Sequence, residues 1–219
     1  MAITNFGELK TAVASWLERT DLTATIPDFF TLAQSRMYRG VHAGTGAGWS
    51  VPPLRIRDMI TTADIVITSG VGALPTGWLE FVRLWRDLSG QPNLKYLPPQ
   101  SFYDHAGAHG AAGSDVLAYT LEGLTIRTAG PSTVTLKSVH YAKFTALSAD
   151  GDTDFVLTNA PSVYLDGVLE EAYGGFIRDT DAAAYHGQRF AAGVRGLNAQ
   201  YRQAQVSGST LIMRPGAVA

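Results

Sequence analysis

The sequence predicts an α+β chain. N- and C-terminal helical pairs form a helical layer, an antiparallel β domain of sandwich or barrel-like type is inserted between them, and an extended arm ends the chain. Three observations predict this. Apolar residues recur at helical spacing near both ends, they alternate through the middle, and short turn sequences punctuate the middle. The expected divisions are an αα-hairpin with a Gly-rich connector over 1–50, the β domain over 51–150, the second helical pair over 151–205 and the arm over 206–219.

The first helix begins at Asn5 and Glu8, spaced as a capping box. Phe6, Leu9, Val13, Trp16 and Leu17 form its apolar stripe. Pro27 suits the first turn of a second helix, whose stripe is Phe30, Ala33, Met37 and Val41, flanked by Phe29 and Leu32. The connector GVHAGTGAGWS (40–50) holds four glycines. It is not a phosphate cradle, because it lacks GxGxxG, a lysine after the last glycine and a preceding strand.

From Pro52 to Phe144 the period is two. Expected strands are 54–57, 63–68, 78–86, 94–97, 116–120, 123–128 and 132–144. In the last, Val134 and Leu136 share one parity while Val139 and Tyr141 share the other. A β-bulge near Lys137–Ser138 restores one buried face; burial on both faces is the alternative. Residues 104–115, DHAGAHGAAGSD, read as a mobile loop tip. Helical spacing returns after Pro161 with Val163, Leu165, Val168, Leu169, Ala172 and Phe176, and Asn159 is the expected cap. A last helix starts at 179–181, carries Phe190, Val194, Leu197 and Tyr201 on its apolar side, and fades near Gln205.

Apolar residues make up 46 % of the 219 positions, enough for a sizeable core, while charged residues are 16 % against about 25 % in ordinary soluble domains. A thinly charged exterior suits a protein covered by partners. The net charge of −2 argues against a cationic nucleic-acid binder, and the absence of cysteine excludes disulfides and thiolate metal sites. The N-terminus lacks the basic start and apolar run of a signal peptide, and no window resembles a membrane span. The expectation is a protein that folds in the cytoplasm.

Candidate chemistry is sparse. Asp150, Asp152 and Asp154 alternate like the first ligands of a calcium loop, but Phe155 stands where the loop needs glycine and Pro161 where it needs glutamate. They read as a turn joining the β region to the C-terminal helices. His105 and His109 have metal-ligand spacing, but on a Gly-rich stretch with no helix to hold them and no third ligand. His42, His140 and His186 stand isolated. No GxSxG, HExxH or Walker sequence occurs. Glu170-Glu171, adjacent on a helix, point about 100° apart and read as its polar edge. Arg36, Arg39, Arg55 and Arg57 are candidate subunit or partner contacts. No catalytic residue, metal or cofactor is expected.

Four segments, in order, resemble a known family. FGELKTAVASWLERTDLTATIPDFFTLAQSRMYR (6–39), LPTGWLEFVRLW (74–85), LKYLPPQSFYD (94–104) and ALSADGDTDFVLTNAPSVYLDGVLEEA (146–172) are similar to bacteriophage head-to-tail adaptor, or head-completion, proteins. The last contains the family's Leu-Thr-Asn-x-Pro-x-x-Tyr-Leu-x-Gly-x-Leu-x-Glu-Ala pattern, which places the aspartates in a junction. The Gly-rich 40–50 and 104–115 depart from the family. The resemblance implies a non-enzymatic virion protein forming a homo-oligomeric ring, usually a dodecamer, between the portal and a tail or nozzle protein. The ring extends the DNA channel, helps retain packaged DNA and lets DNA pass without sequence-specific binding. Subunits related by rotation meet through heterologous contacts that close the ring. In that setting Leu211, Ile212, Met213 and Arg214 of the arm are the expected portal contacts. Two other readings stand beside this one. The first is a tail or baseplate protein whose Trp49, Trp78, Trp85 and Tyr103 stack on sugars, and the second is an enzyme with a site assembled from distant residues.

Overall fold

The computed structural model describes residues 2–19, 21–41, 50–86, 93–109, 118–130 and 133–206. Two compact units emerge: Met1–Arg57 together with Thr145–Ala219, and Asp58–Phe144. Helices at both ends of the chain thus flank an inserted curled sheet, an α+β fold. Trp49, the 110–117 segment and the arm from residue 207, with Leu211, Ile212, Met213 and Arg214, lie outside the described residues.

In the helical unit, α1 (Phe6–Leu17) and α2 (Ile26–Arg39) form the N-terminal hairpin. Asn5 Oδ1 accepts from the Glu8 N–H at 2.9 Å, capping α1. The Glu8 carboxylate reaches back one residue further than a capping box requires, accepting from Thr4 N and Thr4 Oγ1, both at 2.7 Å. After the insertion come a short α4 (Phe155–Asn159), α5 (Pro161–Glu171), a π-helical turn (Ala172–Ile177) and the 27-residue α6 (Thr180–Val206). Asn159 does not cap α5. Asp154 caps α4 instead, accepting from the Leu157 N–H at 2.8 Å, and the Asn159 amide donates to the Phe155 carbonyl.

The rings of Phe6, Phe30 and Tyr164 bind α1, α2 and α5 together, with successive centroids 4.9 Å apart and tilted, a favoured aromatic geometry. α5 and α6 approach closely because glycine stands at two points of contact. A Cβ on Gly193 would lie 2.7 Å from Val163 Cγ2, and one on Gly167 3.0 Å from the Phe190 ring and 3.1 Å from Ala33 Cβ. Three expected core residues are exposed: Trp16, Leu32 and Phe176. Helical spacing places them beside the stripe, and the stripe is narrower than their hydrophobicity suggests.

Among the described residues the β unit is one curled seven-stranded sheet, a half-barrel rather than two stacked layers, in the order β3-β7-β1-β2-β6-β5-β4. Its strands are β1 (Ile60–Thr68), β2 (Val71–Ala73), β3 (Trp78–Arg86), β4 (Lys95–Tyr96), β5 (Ala118–Glu122), β6 (Thr125–Ala129) and β7 (Thr133–Ala142). All the pairings are antiparallel except β4 with β5. Ile65, Ile67, Leu84, Leu94, Tyr119, Ile126, Val134 and Leu136 form the core.

Three expectations need correction here. Residues 54–57 are not a strand. Leu54 and Ile56 do alternate inward, but into the helical unit, where the Leu54 N–H donates to the Met37 carbonyl at 2.9 Å and the Arg55 N–H to Asn198 Oδ1 at 2.8 Å. β7 has no bulge, for its register with β1 is unbroken from Ile60↔Tyr141 to Thr68↔Thr133. Ser138 and His140 continue the buried face of Val134 and Leu136, so the apparent phase change comes from polar residues on the inner face. The register shifts fall in β3 instead. Finally, 104–109 are not loop. They complete α3 (Pro99–His109), which starts on a proline at its first position and buries Phe102.

Candidate functional site

The aspartate junction lies in the helical unit and each carboxylate has a structural task. Asp150 pairs with Lys10 of α1 at 2.5 Å, and Lys10 Nζ also lies 5.0 Å above the Phe6 ring. Asp152 Oδ2 accepts from the N–H groups of Ser148 and Ala149 at 2.7 and 2.8 Å, and these bonds hold its carboxyl below the usual range. Asp154 caps α4 and accepts from the Tyr164 hydroxyl at 2.6 Å. Burial pushes its carboxyl up against those bonds, and pushes the Tyr164 phenol well up. The junction's backbone closes the arrangement. The carbonyls of Asp150 and Asp152 accept from the N–H groups of Gly7 and Phe6, both at 2.9 Å. These are orphan donors of the first turn of α1. The Asp150 carboxylate and the two carbonyls therefore tie the junction to α1, the three carboxylates do not converge on an ion, and no metal-competent cluster of His, Cys, Asp or Glu occurs among the described residues.

The four candidate arginines all belong to the helical unit, and the structure does not gather them. Arg36 is a strut between helices. Its guanidinium donates to Glu170 Oε1 at 2.7 Å and to Glu171 Oε1 at 2.6 Å. Glu170 is thus no mere polar edge. It is only 8 % exposed, its Oε2 has no partner, and burial pushes its carboxyl up to about 7 against the pull of Arg36. Arg55 donates to the carbonyls of Tyr38 and Leu54 at 3.1 and 2.7 Å. Beside it Asn198, buried on α6, accepts from the Arg55 N–H and donates to the Pro53 carbonyl at 3.0 Å, which stitches 53–55 to α6. Arg39 and Arg57 are exposed and without a charged partner among the described residues.

Two clusters escaped sequence reasoning. His186, read as isolated, is buried. Its Nδ1 lies 2.9 Å from Asp166 Oδ1, whose carboxylate also accepts from Arg189 Nε at 3.1 Å. The imidazole stacks on Tyr173 of the π-helical turn, with centroids 5.6 Å apart and planes 1° apart, and meets Trp16 and Tyr185 edge-on. Asp166, one turn before Glu170, and His186, on the apolar side of α6, were the available signals. In the β unit, Glu122 accepts from the Tyr103 hydroxyl and from Arg127 Nε, each at 2.5 Å, tying α3 to β5 and β6. His105 and His109 do stand on a helix, α3, contrary to expectation.

Among the described residues the exposed large apolar side chains are candidate contact points. They are Trp16 (57 %), Leu32, Phe176 and Tyr185 in the helical unit, and Val66, Val82, Tyr96, Tyr103 and Leu124 (81 %) in the β unit. Trp78 and Trp85 are half-buried. Trp85 lies beneath the Arg83 guanidinium, 4.6 Å from its ring centroid, and the Tyr103 hydroxyl is taken by Glu122. No helix among the described residues is long and apolar enough to cross a membrane.

One family model, described as SU10 adaptor protein, matches residues 4–214 and so takes in both units. No curated protein matches the chain.

Proposed function

We propose, because the chain belongs to the SU10 adaptor protein family and is a phage head-to-tail adaptor, a structural connector between portal and tail components, that copies of it close into a ring, dodecameric, at the head–tail interface of the virion. The portal protein lies on one side of the ring and a tail or nozzle protein on the other. The ring is built in the host cytoplasm and continues the DNA channel without reading sequence. Leu211, Ile212, Met213 and Arg214 of the arm engage the portal, and the exposed cations Arg39 and Arg57 serve contacts between subunits or with partners. Arg36 and Arg55 support such contacts from within, by bracing α2 and the 53–55 segment. The working parts are the hairpin, the β domain, the second helical pair and the arm, with 51–57 and 145–150 serving the helical side.

The observation that carries this reading is the family match across both units. Two features are consistent with it. The chain is thinly charged, and its exposed large apolar side chains are distributed over both units. Electron microscopy of the purified protein, alone and with emptied capsids, tests it. The expected result is a ring with rotational symmetry that occupies the portal vertex, and loss of portal binding when residues 207–219 are deleted. A lone monomer that leaves the vertex bare overturns the ring, and unchanged portal binding by the truncated chain overturns the arm.

A further inference from the structure

Glu170 and Glu171 share one guanidinium. Arg36 gives one nitrogen to each, so two carboxylates face a single positive charge. Glu171 is the more exposed partner, at 17 % of its side chain against 9 % for Glu170. The second oxygen of Glu170 is sealed from solvent and has no donor within reach. A bare anionic oxygen in such a place is strongly disfavoured, and a carboxyl there neutralises rather than stay charged.

The other titratable groups on the elements packed against α5 are committed elsewhere or lie at the surface. On α6, His186 and Arg189 bind Asp166, Tyr185 accepts from Arg189, Arg195 donates to the Ser50 carbonyl, Asp181 and Arg202 are exposed and Tyr201 is half-buried. On α1, Lys10 binds Asp150 and Glu8 binds Thr4. The π-helical turn offers Tyr173, stacked on His186, and α4 has no titratable side chain. On α2, Tyr38 acts on Tyr164, while Asp28 and Arg39 are exposed. Arg36 and Glu171 are the charges that act on Glu170.

We propose that Glu170 is a proton-uptake switch at the α2–α5 joint. Its Oε2 takes a proton from solvent as the pH falls through neutrality. The Arg36–Glu170–Glu171 cluster goes from a net charge of −1 to zero, and α2 tightens on α5. Burial, the dominant influence on this carboxyl, raises it to about 7, which sets the range in which the switch works. The inference stands apart from ring formation, because it concerns one protomer.

The test uses the full chain and compares wild type with Glu170→Gln, which keeps the shape and removes the titration. Urea unfolding followed by helical circular dichroism at about pH 8.5 and about pH 6 should show the wild-type folded-to-unfolded ratio of the helical unit rising about tenfold more on acidification than that of the variant. Equal pH responses in the two proteins overturn the proposal. A second measurement does not depend on the variant folding. Infrared difference spectra of wild type with carboxyl-labelled glutamate should show a protonated-acid carbonyl band at about pH 6 that fades by about pH 8.5. Its absence at the lower pH overturns the proposal equally. Hydrogen exchange locates the effect: amides of α2 and α5 should slow on acidification in wild type and not in Glu170→Gln, and a response confined to the β unit counts against the switch.

Discussion

The two units bury polar groups in opposite ways. The helical unit buries Asp166, Glu170, His186 and Asn198; the first three are ionisable and tied across helices, and Asn198 ties α6 to the 53–55 segment. The β unit buries Thr120, Thr128, Ser138 and His140, a neutral hydroxyl set with one imidazole that has no carboxylate partner among the described residues. The difference follows from the backbone. A sheet satisfies its own N–H and C=O groups through the ladder, so inward polar residues can be small and neutral. Helices join only through side chains, and long charged side chains reach across the gaps. Buried ion pairs are weak evidence for added stability, but breaking one by removing a single partner is costly. The helical unit should therefore be fragile to single truncations and sensitive to pH, and the β unit tolerant.

The largest expected effect comes from breaking a charged cluster. Asp166→Ala leaves His186 buried without its partner and removes the anchor of Arg189. The loss expected is about 2–3 kcal/mol, for a buried polar group left without its partner, read from the urea midpoint of helical circular dichroism. The matching truncation in the β unit is Ser138→Ala. It deletes the hydroxyl bond to the Ala63 carbonyl, 2.9 Å long, and should cost about 1 kcal/mol. Equal losses in the two variants would erase the contrast.

The second test is a change of sign with pH. Glu170 is raised from 4.5 to about 7, so the native helical unit binds the proton more tightly than the unfolded chain. Its contribution is complete below the ordinary carboxyl value and is lost as pH rises through about 7. His140 is lowered from 6.5 by burial, so the unfolded chain binds that proton more tightly. Its contribution is complete above 6.5 and is lost as pH falls through its depressed value. Acidification from about pH 8 to about pH 5.5 should then slow amide exchange in α2 and α5 and quicken it in β7 and β1. Exchange that moves in the same direction in both units would show that one common titration dominates.

Local signals were legible in the sequence and long-range partners were not. The Asn5 cap, the helical stripes and most strands follow from residues a few positions apart, where spacing is itself the geometry. The aspartates could be excluded as a calcium loop because Phe155 and Pro161 break its pattern, yet the partners that tie the junction to α1, Lys10 for the Asp150 carboxylate and the first N–H groups of α1 for two carbonyls, lie about 140 positions away. A lone arginine carries no sign in the sequence of what faces it. Glu170 and Glu171 meet the Arg36 guanidinium, and the Tyr38 and Leu54 carbonyls meet that of Arg55, only once the chain has folded. β7 was misread because inward polar residues mimic a shift of face, and α3 because its glycine and alanines suggested a loop while Pro99 marked a helix start. Trp16 and Phe176 fall on the helical repeat but outside the buried arc.

The smallest expected effect has the opposite sign and probes the β unit's tolerance directly. The Oγ1 atoms of Thr120 and Thr128 are buried without a hydrogen-bond partner. Each is an unmet polar group in an apolar setting, and valine matches threonine in shape while replacing the hydroxyl with a methyl. Where a bonded hydroxyl is lost, such a change removes an interaction. Here there is none to remove, and the desolvation cost of the hydroxyl is relieved. Thr120→Val should therefore stabilise the β unit by about 0.5–1 kcal/mol, seen as a higher urea midpoint with an unchanged slope. A destabilisation of similar size would mean that the hydroxyl is satisfied in solution by a bound water, and the β unit would then depend on a buried polar link as the helical unit does.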